Sequence, residues 1–315
     1  MAKGLIERLW DDGRRALEIQ EVLDARFGPG MSEIDEVLKS GDDAIIFAGL
    51  FRGQRAVFKQ FLRGGAAETV LRMEEELLFL YSRLGGGLCR VNQLLAALPE
   101  DGLAVLEYVP ADRVSLILKA DDPQKRTDVL ALCGTWLATV APLRTDMRRL
   151  GRSRLDRQFE DLNLQELSAQ DRDLVQDLIH AARTLSKRIK GSQVSHAIAH
   201  GDFAPVNMMS DGRTIWAVDI QGATRFPLAR IVARFLVAKD IYSARQAVQQ
   251  WGLDADDLRC FAPERILPKV ELTAVFPFFV AQQFVRRFVS SYPQRGGNPV
   301  ARMRLETCLN DLEAA

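Results

Sequence analysis

Hydrophobic positions in the first third of the chain alternate between helical and β-type spacing. Residues 3–27 carry apolar side chains at helical intervals, and this pattern stops at a Gly-Pro-Gly sequence. Two β-rich runs, AIIFAGLF and RAVFKQF, follow on either side of an Arg-Gly-Gln turn and predict a β-hairpin. Residues 68–84 return to a helical period, and short strands are predicted near 90–98 and 102–109. We therefore expect a small antiparallel sheet with one helix.

Beyond Pro110 the pattern becomes mainly helical. Long stretches of helical period predict helices near 123–140, 171–190, 228–250 and 266–293. A β-and-loop region, AIAHGDFAPVNMMSDGRTIWAVDIQG, interrupts them between about 197 and 222. The prediction is an α+β protein with three parts: a helical extension at 1–30, a small mixed unit at 31–109 and a larger helical unit at 110–315.

Composition narrows the possible functions. With 315 residues, 47% of them hydrophobic and 27% charged, the chain is long enough for about two globular domains. The 42 basic residues are balanced by 42 acidic ones, which argues against nucleic acid or an anionic membrane surface as a partner. Charged residues near the N-terminus and the absence of a long apolar segment predict a soluble, cytoplasmic protein without a membrane span.

The β-and-loop region contains the side chains that phosphoryl transfer requires. Asp202 and Asn207 in HGDFAPVN are separated by four residues, the spacing of the catalytic loop of protein kinases. Asp202 would accept or orient the proton of an acceptor hydroxyl, and Asn207 would bind a metal ion. Asp219 ends the apolar run in AVDIQG and would be the main ligand of Mg²⁺, a cation that prefers carboxylate and amide oxygens. His200, beside this loop, is interpreted as a structural brace.

HGDFAPVN followed by AVDIQG resembles the aminoglycoside phosphotransferase and choline kinase family, whose members are relatives of protein kinases. The resemblance covers roughly residues 33–243. It implies a two-lobed, protein-kinase-like fold, with a small N-terminal sheet and a larger helical C-terminal lobe. It also implies an ATP- and Mg²⁺-dependent transfer of the γ-phosphoryl group to a hydroxyl of a small molecule.

The resemblance extends upstream of the loop. VFKQF is similar to the strand whose lysine holds the nucleotide phosphates, which implies that role for Lys59. Glu74 resembles the helix glutamate that pairs with this lysine, although Glu75 and Glu76 compete for the role. LAVLEYVPA looks like the hinge segment, whose backbone at Glu107 and Val109 would bind adenine.

The chain departs from the family pattern at two places. A protein-kinase phosphate loop contains GxGxxG, whereas the candidate here is Ser40-Gly41-Asp42, whose hydroxyl and backbone amides could contact phosphate oxygens. Ile231 stands where the family often has an aspartate that supports the catalytic loop. A nucleotide-binding scaffold without activity, and a kinase acting on a protein or a lipid-linked sugar, are the alternative hypotheses.

Two groups of residues near the C-terminus have competing interpretations. Five phenylalanines at helical spacing are interpreted as core, with a wall of the substrate site as the alternative. They are Phe276, Phe278, Phe279, Phe284 and Phe288. A set of arginines is interpreted as a solvated helix face, with contact to an anionic acceptor as the alternative. They are Arg286, Arg287, Arg295, Arg302 and Arg304.

Overall fold

The structure is a computed structural model that describes residues 2–120, 122–151, 155 and 157–314. The chain divides into two compact units. The first unit comprises Met1–Pro110 and Trp216–Ala223, and the second comprises Ala111–Ile215 and Thr224–Ala315. The segment that carries Asp219 thus belongs to the first unit, although it lies far along the chain from the rest of that unit.

The first unit contains a five-stranded antiparallel sheet in the order β1-β2-β3-β6-β5. Its elements are α1 (Ala2–Phe27), β1 (Ser32–Ser40), β2 (Ala44–Phe51), β3 (Gln54–Phe61), α2 (Ala66–Leu84), β4 (Cys89–Val91), β5 (Leu94–Leu98) and β6 (Leu103–Glu107). Ile19 and Leu23 of α1 share one buried apolar cluster with Phe47, Phe51 and Phe58 of the sheet. Burial of this apolar surface is what joins the N-terminal helix to the sheet.

Strand β1 is the element of this unit that the hydrophobic pattern did not predict. It is rich in charged residues, and most of its side chains are exposed. It forms because its backbone pairs antiparallel with β2 from Ser32 to Ser40. A strand at the edge of a sheet can remain polar, and its sequence then lacks the alternation that identifies a half-buried strand.

The second unit is mainly helical. Its helices are α3 (Val114–Ile117), α4 (Pro123–Val140), α5 (Ala169–Ile189), α6 (Leu228–Asp240), α7 (Ala255–Phe261), α8 (Phe276–Arg295) and α9 (Pro299–Glu313). Its short strands are β7 (Asp112–Arg113), β8 (Thr145–Arg149), β9 (Gln193–Ile198), β10 (Met208–Ser210), β12 (Arg225–Pro227), β13 (Gln249–Gln250) and β14 (Leu253–Asp254); β11 (Ile215–Ala217) is where the chain passes from this unit to the first. Strands β12, β9 and β8 form one small sheet, and β10 pairs with β7.

The predicted helix at 228–250 was too long. Helix α6 ends at Asp240, whose buried carboxylate accepts a hydrogen bond from the backbone N–H of Asp254. This bond fixes the chain as it leaves the helix. The predicted helix at 266–293 begins later, with a π-helical turn at Glu271–Val275 before α8. Helix α9 was not predicted, although Asn298 caps it by accepting bonds from two of its first N–H groups.

The five phenylalanines of the C-terminal region are buried, which confirms their interpretation as core. The solvated-face interpretation of the arginines is wrong for Arg304, which is fully buried and donates to the carbonyl oxygens of Gly252 and Ser243. Arg302 bonds Asp171 instead of extending into solvent. In the part of the chain that the structure describes, no helix combines the length and apolar character required to cross a membrane.

Candidate active site

Lys59 and Asp219 meet in the first unit, although 160 positions separate them along the chain. Lys59 lies in β3 with 3% of its surface exposed, and its Nζ donates a hydrogen bond to Oδ1 of Asp219. The ammonium group also lies 4.8 Å from the ring centroid of Phe61, an attractive cation–π distance. A buried ammonium needs such partners because removing a charge from water is costly.

Asp219 has a left-handed backbone conformation, with φ of 65°. It follows β11, and the side chain of Gln221 donates a hydrogen bond of 2.9 Å to its Oδ1. Residues other than glycine rarely adopt positive φ, and asparagine and aspartate tolerate it best. Strained backbone of this kind is concentrated at functional sites, where the position of a side chain matters more than local strain.

Lys59 and Asp219 both line a cavity of about 370 Å³ in the first unit. Gly41 and Gln221 also line it, and the remaining walls come mainly from β2 and from the residues around the start of α2. The cavity therefore presents a cation and a carboxylate side by side to whatever occupies it. Phosphate oxygens are natural partners for the ammonium, and a divalent cation is a natural partner for the carboxylate.

Asp202 and Asn207, the predicted catalytic-loop residues, lie in the second unit and take part in short-range hydrogen bonds. The backbone N–H of Asp202 donates to Nδ1 of His200 at 3.2 Å. The Nδ2 of Asn207 donates to the backbone carbonyl of Asp202 at 2.9 Å. This geometry is compatible with the interpretation of His200 as a brace. The bond from Asn207 also joins the two ends of the loop, so that Asp202 and Asn207 are held close together.

A cluster of aromatic rings supports this loop. Phe203, which follows Asp202, stacks on Trp136 at 5.7 Å and on Phe235 at 4.9 Å between ring centroids. Phe261 adds a further ring, 5.2 Å from Phe235. Large rings packed in this way have little freedom to move, and the loop backbone between Asp202 and Ala204 is therefore anchored to the core of the second unit.

Arg234 is a site residue to which the sequence assigned no role. It lies in α6, and its guanidinium forms an ion pair with the carboxylate of Asp202, which is 52% exposed. Ile231 of the same helix stands where the family often has an aspartate. Instead, an arginine of this helix reaches the predicted catalytic loop. The motif Val-Ala-Arg-Phe-Leu already shows that an arginine is present at this position. Only the packing of α6 shows that its side chain is directed to Asp202.

The remaining predicted residues have different positions. Ser40 does not line the cavity, and its hydroxyl donates to Asp12 of α1 at 2.8 Å. Glu107 is at the end of β6, where its N–H donates to the carbonyl of Gln93 at 2.8 Å. Its carbonyl is therefore the backbone group that could accept a bond from a base. Val109 is buried two positions further on.

The three candidate glutamates of α2 differ in burial. Glu74 is half-buried, Glu75 is exposed and Glu76 is 1% exposed. Glu76 lies on the core-facing side of the helix together with Met73, Leu77 and Leu80. A carboxylate in such surroundings requires a partner, because its charge is costly to bury. Burial therefore favours Glu76 as the functional glutamate.

Asn207 and Asp219 each carry oxygen atoms of the type that a hard divalent cation prefers. In the second unit, Asn207 uses Nδ2 in its bond to the Asp202 carbonyl, and its amide oxygen takes no part in that bond. In the first unit, the carboxylate of Asp219 lines the cavity. Mg²⁺ takes a small number of such oxygens and keeps water and phosphate in its other positions. Among the described residues no group of three or more His, Cys, Asp or Glu side chains is arranged to hold a metal by itself. A cation bound partly by nucleotide phosphates does not need such a group.

The fold resembles that of solved kinases. The aminoglycoside phosphotransferase APH(4)-Ia is 12% identical, with 95% of this chain and 99% of that chain covered and a TM-score of 0.61. Amicoumacin kinase hAmiN, in complex with AMP-PNP, Ca²⁺ and Ami, is 15% identical, with 94% and 93% covered and a TM-score of 0.56. Choline kinase LicA from Streptococcus pneumoniae is 15% identical, with 96% and 100% covered and a TM-score of 0.55. The expected α+β, two-lobed, protein-kinase-like fold is confirmed.

The model of the phosphotransferase enzyme family matches residues 43–249, more than half of the chain. The protein belongs to this family, and the resemblance found in the sequence is confirmed. No curated protein matches the chain. The expected enzyme class, a phosphotransferase with an alcohol group as acceptor, is thereby confirmed at the level of the family.

Proposed function

We propose that the protein is an ATP-dependent kinase that moves the γ-phosphoryl group to a hydroxyl of a small molecule. The pairing of buried Lys59 with Asp219 at the wall of a cavity is the observation that carries this proposal. A buried ion pair contributes little to stability, since the cost of desolvation offsets most of the attraction. The position of this pair beside a cavity is explained if a bound nucleotide separates the two groups. Lys59 would then contact phosphate oxygens, and Asp219 would contact the metal ion.

In this proposal each polar residue has one task. Lys59 binds phosphate oxygens, and Asp219 and Asn207 are ligands of Mg²⁺, which when bound would neutralise charge on the phosphates. The acceptor oxygen bonds to the γ-phosphorus, the bond from that phosphorus to the bridging oxygen breaks, and ADP leaves. Asp202 takes the hydroxyl proton. Arg234 keeps the Asp202 carboxylate in place through their ion pair.

Further contacts to the nucleotide complete the proposal. The backbone of Glu107 and Val109 would bind the adenine, and the amide of Gly41 would approach a phosphate. Glu76 replaces Glu74 as the proposed partner of the lysine, because it is the buried carboxylate of α2. Ser40 is a weaker candidate than Gly41, since its hydroxyl is already bonded to Asp12. Magnesium as the metal and the cytoplasm as the location belong to the same proposal.

Replacement of Asp202 by asparagine tests the chemical step. We expect Asp202→Asn to lower kcat by roughly 10² to 10⁴, the range for loss of a general base. The measurement is ADP release with the hydroxyl acceptor identified by screening. Asp177→Asn, which makes the same change at an exposed position of α5, should leave kcat unchanged. Unchanged turnover in Asp202→Asn would show that this carboxylate does not take the proton.

The search for the acceptor also distinguishes an active kinase from an inactive nucleotide-binding scaffold. Thermal shift with Mg-ATP reports nucleotide binding, while ADP release over sugars, amino alcohols, antibiotics and their phosphorylated or carboxylated derivatives reports turnover. We expect both responses. Nucleotide binding with no turnover over the whole panel would favour an inactive scaffold or a kinase for a protein or a lipid-linked sugar, and would overturn the small-molecule proposal.

A further inference from the structure

The second unit contains a cavity of about 910 Å³ beside the catalytic loop. Ala204, Pro205 and Val206, which lie between Asp202 and Asn207 in the sequence, form part of its wall. Helices α3, α6 and α8 and the segment after α6 contribute most of the other walls. A cavity of this size accommodates a small molecule, and its wall places that molecule next to the proposed catalytic loop.

The walls of this cavity are strongly basic. Six basic side chains line it, against one acidic side chain, Asp122. The basic residues are Lys119, Arg126, Lys239, Arg245, Arg287 and Arg295. A concave surface lined by one sign of charge concentrates ligands of the opposite sign. The lining thus disfavours a polycationic acceptor.

Buried carboxylates neutralise three of these cations. The Nε of Arg126 donates to Asp257 at 2.9 Å, and Lys239 is paired with both Asp240 and Asp257. The Nη1 of Arg245 lies 3.1 Å from Asp257. These cations belong to an internal charge cluster that supports the fold. Their attraction for a ligand is reduced accordingly.

Arg287 differs from these residues. Its side chain is half-buried, yet among the described residues its guanidinium enters no hydrogen bond and no ion pair. Burial and the nearby charge of Arg234 lower the pKa of the guanidinium below its usual range. The Nε of Arg234 is likewise buried without an acceptor in the described chain. The positive charges of Arg234 and Arg287 therefore oppose each other, and an anion bound at Arg287 would reduce this repulsion.

The position of Arg287 brings it near residues with proposed roles in the reaction. Arg234 and Asp202, which form the ion pair of the catalytic loop, are both close enough to influence its charge. Arg295, about two turns further along α8, lies over the ring of Tyr242 at 4.2 Å and lines the same cavity. Arg287 lines the same cavity as Ala204, Pro205 and Val206, so an anionic group held at Arg287 would lie in the cavity that the proposed catalytic loop borders.

We infer that the acceptor carries an anionic group, a phosphate or a carboxylate, and that Arg287 binds this group while a hydroxyl of the same molecule meets Asp202. This inference rests on the proposed function, because it names the class of acceptor. Phosphate and carboxylate share the property that matters: both take two parallel hydrogen bonds from a guanidinium.

The test is a titration with three matched probes: glycerol, glycerate and glycerol 3-phosphate. Calorimetry on the full chain, with and without saturating Mg-AMP-PNP, would give the affinity of each. We expect at least one anionic probe to bind about tenfold or more tightly than glycerol, both with and without the nucleotide analogue. The better of the two anionic probes identifies the group as phosphate or carboxylate.

Variants locate the binding site. Arg287→Met should remove the preference for the anionic probe, and Arg287→Lys should retain part of it because the charge remains. Lys269→Met removes one charge from an exposed position outside the cavity and should leave the preference intact. Thermal unfolding of each variant checks that the fold is preserved, and Arg287→Lys keeps the test valid if the methionine variant is unstable.

The inference would be overturned by a wild-type protein that binds glycerol and both anionic probes equally or not at all. It would also be overturned by an anion preference that is undiminished in both Arg287→Met and Arg287→Lys. Failure of the proposed function has a separate signature, since a protein that binds no AMP-PNP could still bind anions at Arg287. Turnover of a neutral or cationic acceptor in the screen would contradict this inference and leave the kinase proposal standing.

Discussion

Asp219 combines three properties that are rarely found in one residue. Its backbone has a positive φ, its carboxylate pairs with a lysine from a distant strand, and it lines a cavity. The strain of the backbone costs roughly 1–2 kcal/mol for an ordinary L-residue. The lysine and the turn around Gln221 hold the carboxylate where a metal and phosphates would require it.

Two substitutions at Asp219 separate the role of the backbone from that of the charge. Asp219→Asn retains a residue that tolerates positive φ, so its loss of stability should come from the broken ion pair with buried Lys59, and it should lose most Mg²⁺-dependent nucleotide binding. Asp219→Ala should lose the same binding and lower the free energy of unfolding by about 1 kcal/mol more than Asp219→Asn. Calorimetric titration with Mg-AMP-PNP and urea unfolding measure the two effects. Unaltered nucleotide affinity in both variants would remove Asp219 from the list of metal ligands.

At the scale of a secondary-structure element, α2 decides which of three consecutive glutamates can act inside the protein. Its buried side chains recur at Val70, Met73, Glu76, Leu77 and Leu80, a single face of a helix. Glu75 points to solvent, and Glu74 lies at the margin of the buried face. The sequence left the choice among the three glutamates open, because a run of three acidic residues does not indicate which of them faces the core.

The orientation of α2 about its axis predicts the order in which substitutions of its three glutamates reduce activity. Glu76→Gln should reduce kcat/KM for ATP by about tenfold or more, since it removes the buried charge that is proposed to pair with Lys59. Glu75→Gln should have no measurable effect, and Glu74→Gln should fall between the two. Steady-state kinetics with varied ATP provide the comparison. A larger loss in Glu75→Gln than in Glu76→Gln would contradict the assignment from burial.

For the whole molecule, acid stability depends on buried carboxylates of the second unit. Burial by itself would raise the pKa of Asp171, but hydrogen bonds from Ser168, Tyr292 and Arg302 outweigh it, and the pKa lies below its usual range. Burial would also raise the pKa of Asp257, but the hydrogen bonds and positive charges of Arg126 and Lys239 together outweigh it and lower the pKa. Both ionised forms are thus favoured in the folded state.

The sign of the pH effect follows from these shifts. A carboxyl whose folded-state pKa is lowered contributes stability above its unfolded-state pKa, and this contribution is lost as the pH falls through the folded-state value. We expect Tm to decrease as the pH falls below about 4, the unfolded range of aspartate. Asp171→Asn should weaken this dependence, whereas Asp173→Asn, at an exposed position of the same helix, should not. Equal pH profiles for both variants and the wild type would show that Asp171 makes no such contribution.

The sequence predicted most of the elements and the chemical identity of the proposed site. Hairpin β2–β3 and helices α2, α4 and α5 were within a few residues of their predicted positions, because their hydrophobic periodicity is strong. Strand β1 and helix α9 were missed, since one is a polar edge strand and the other has a weakly patterned sequence. The end of α6 depends on a hydrogen bond between Asp240 and Asp254, which no local pattern can reveal.

What the sequence determined by itself is the set of reactive groups and their local spacing: Asp202 and Asn207 in one loop, Asp219 after one strand and a lysine in another. The sequence determines these local separations because only a few residues of backbone lie between the groups. Only the tertiary structure decided which groups are buried together. It paired Lys59 with Asp219, buried Glu76 more deeply than its acidic neighbours, directed Arg234 to Asp202 and placed Arg287 at a cavity where none of the described residues accepts a bond from its guanidinium. The physical reason is that burial and pairing depend on residues distant in the chain, whose approach is set by the packing of the core.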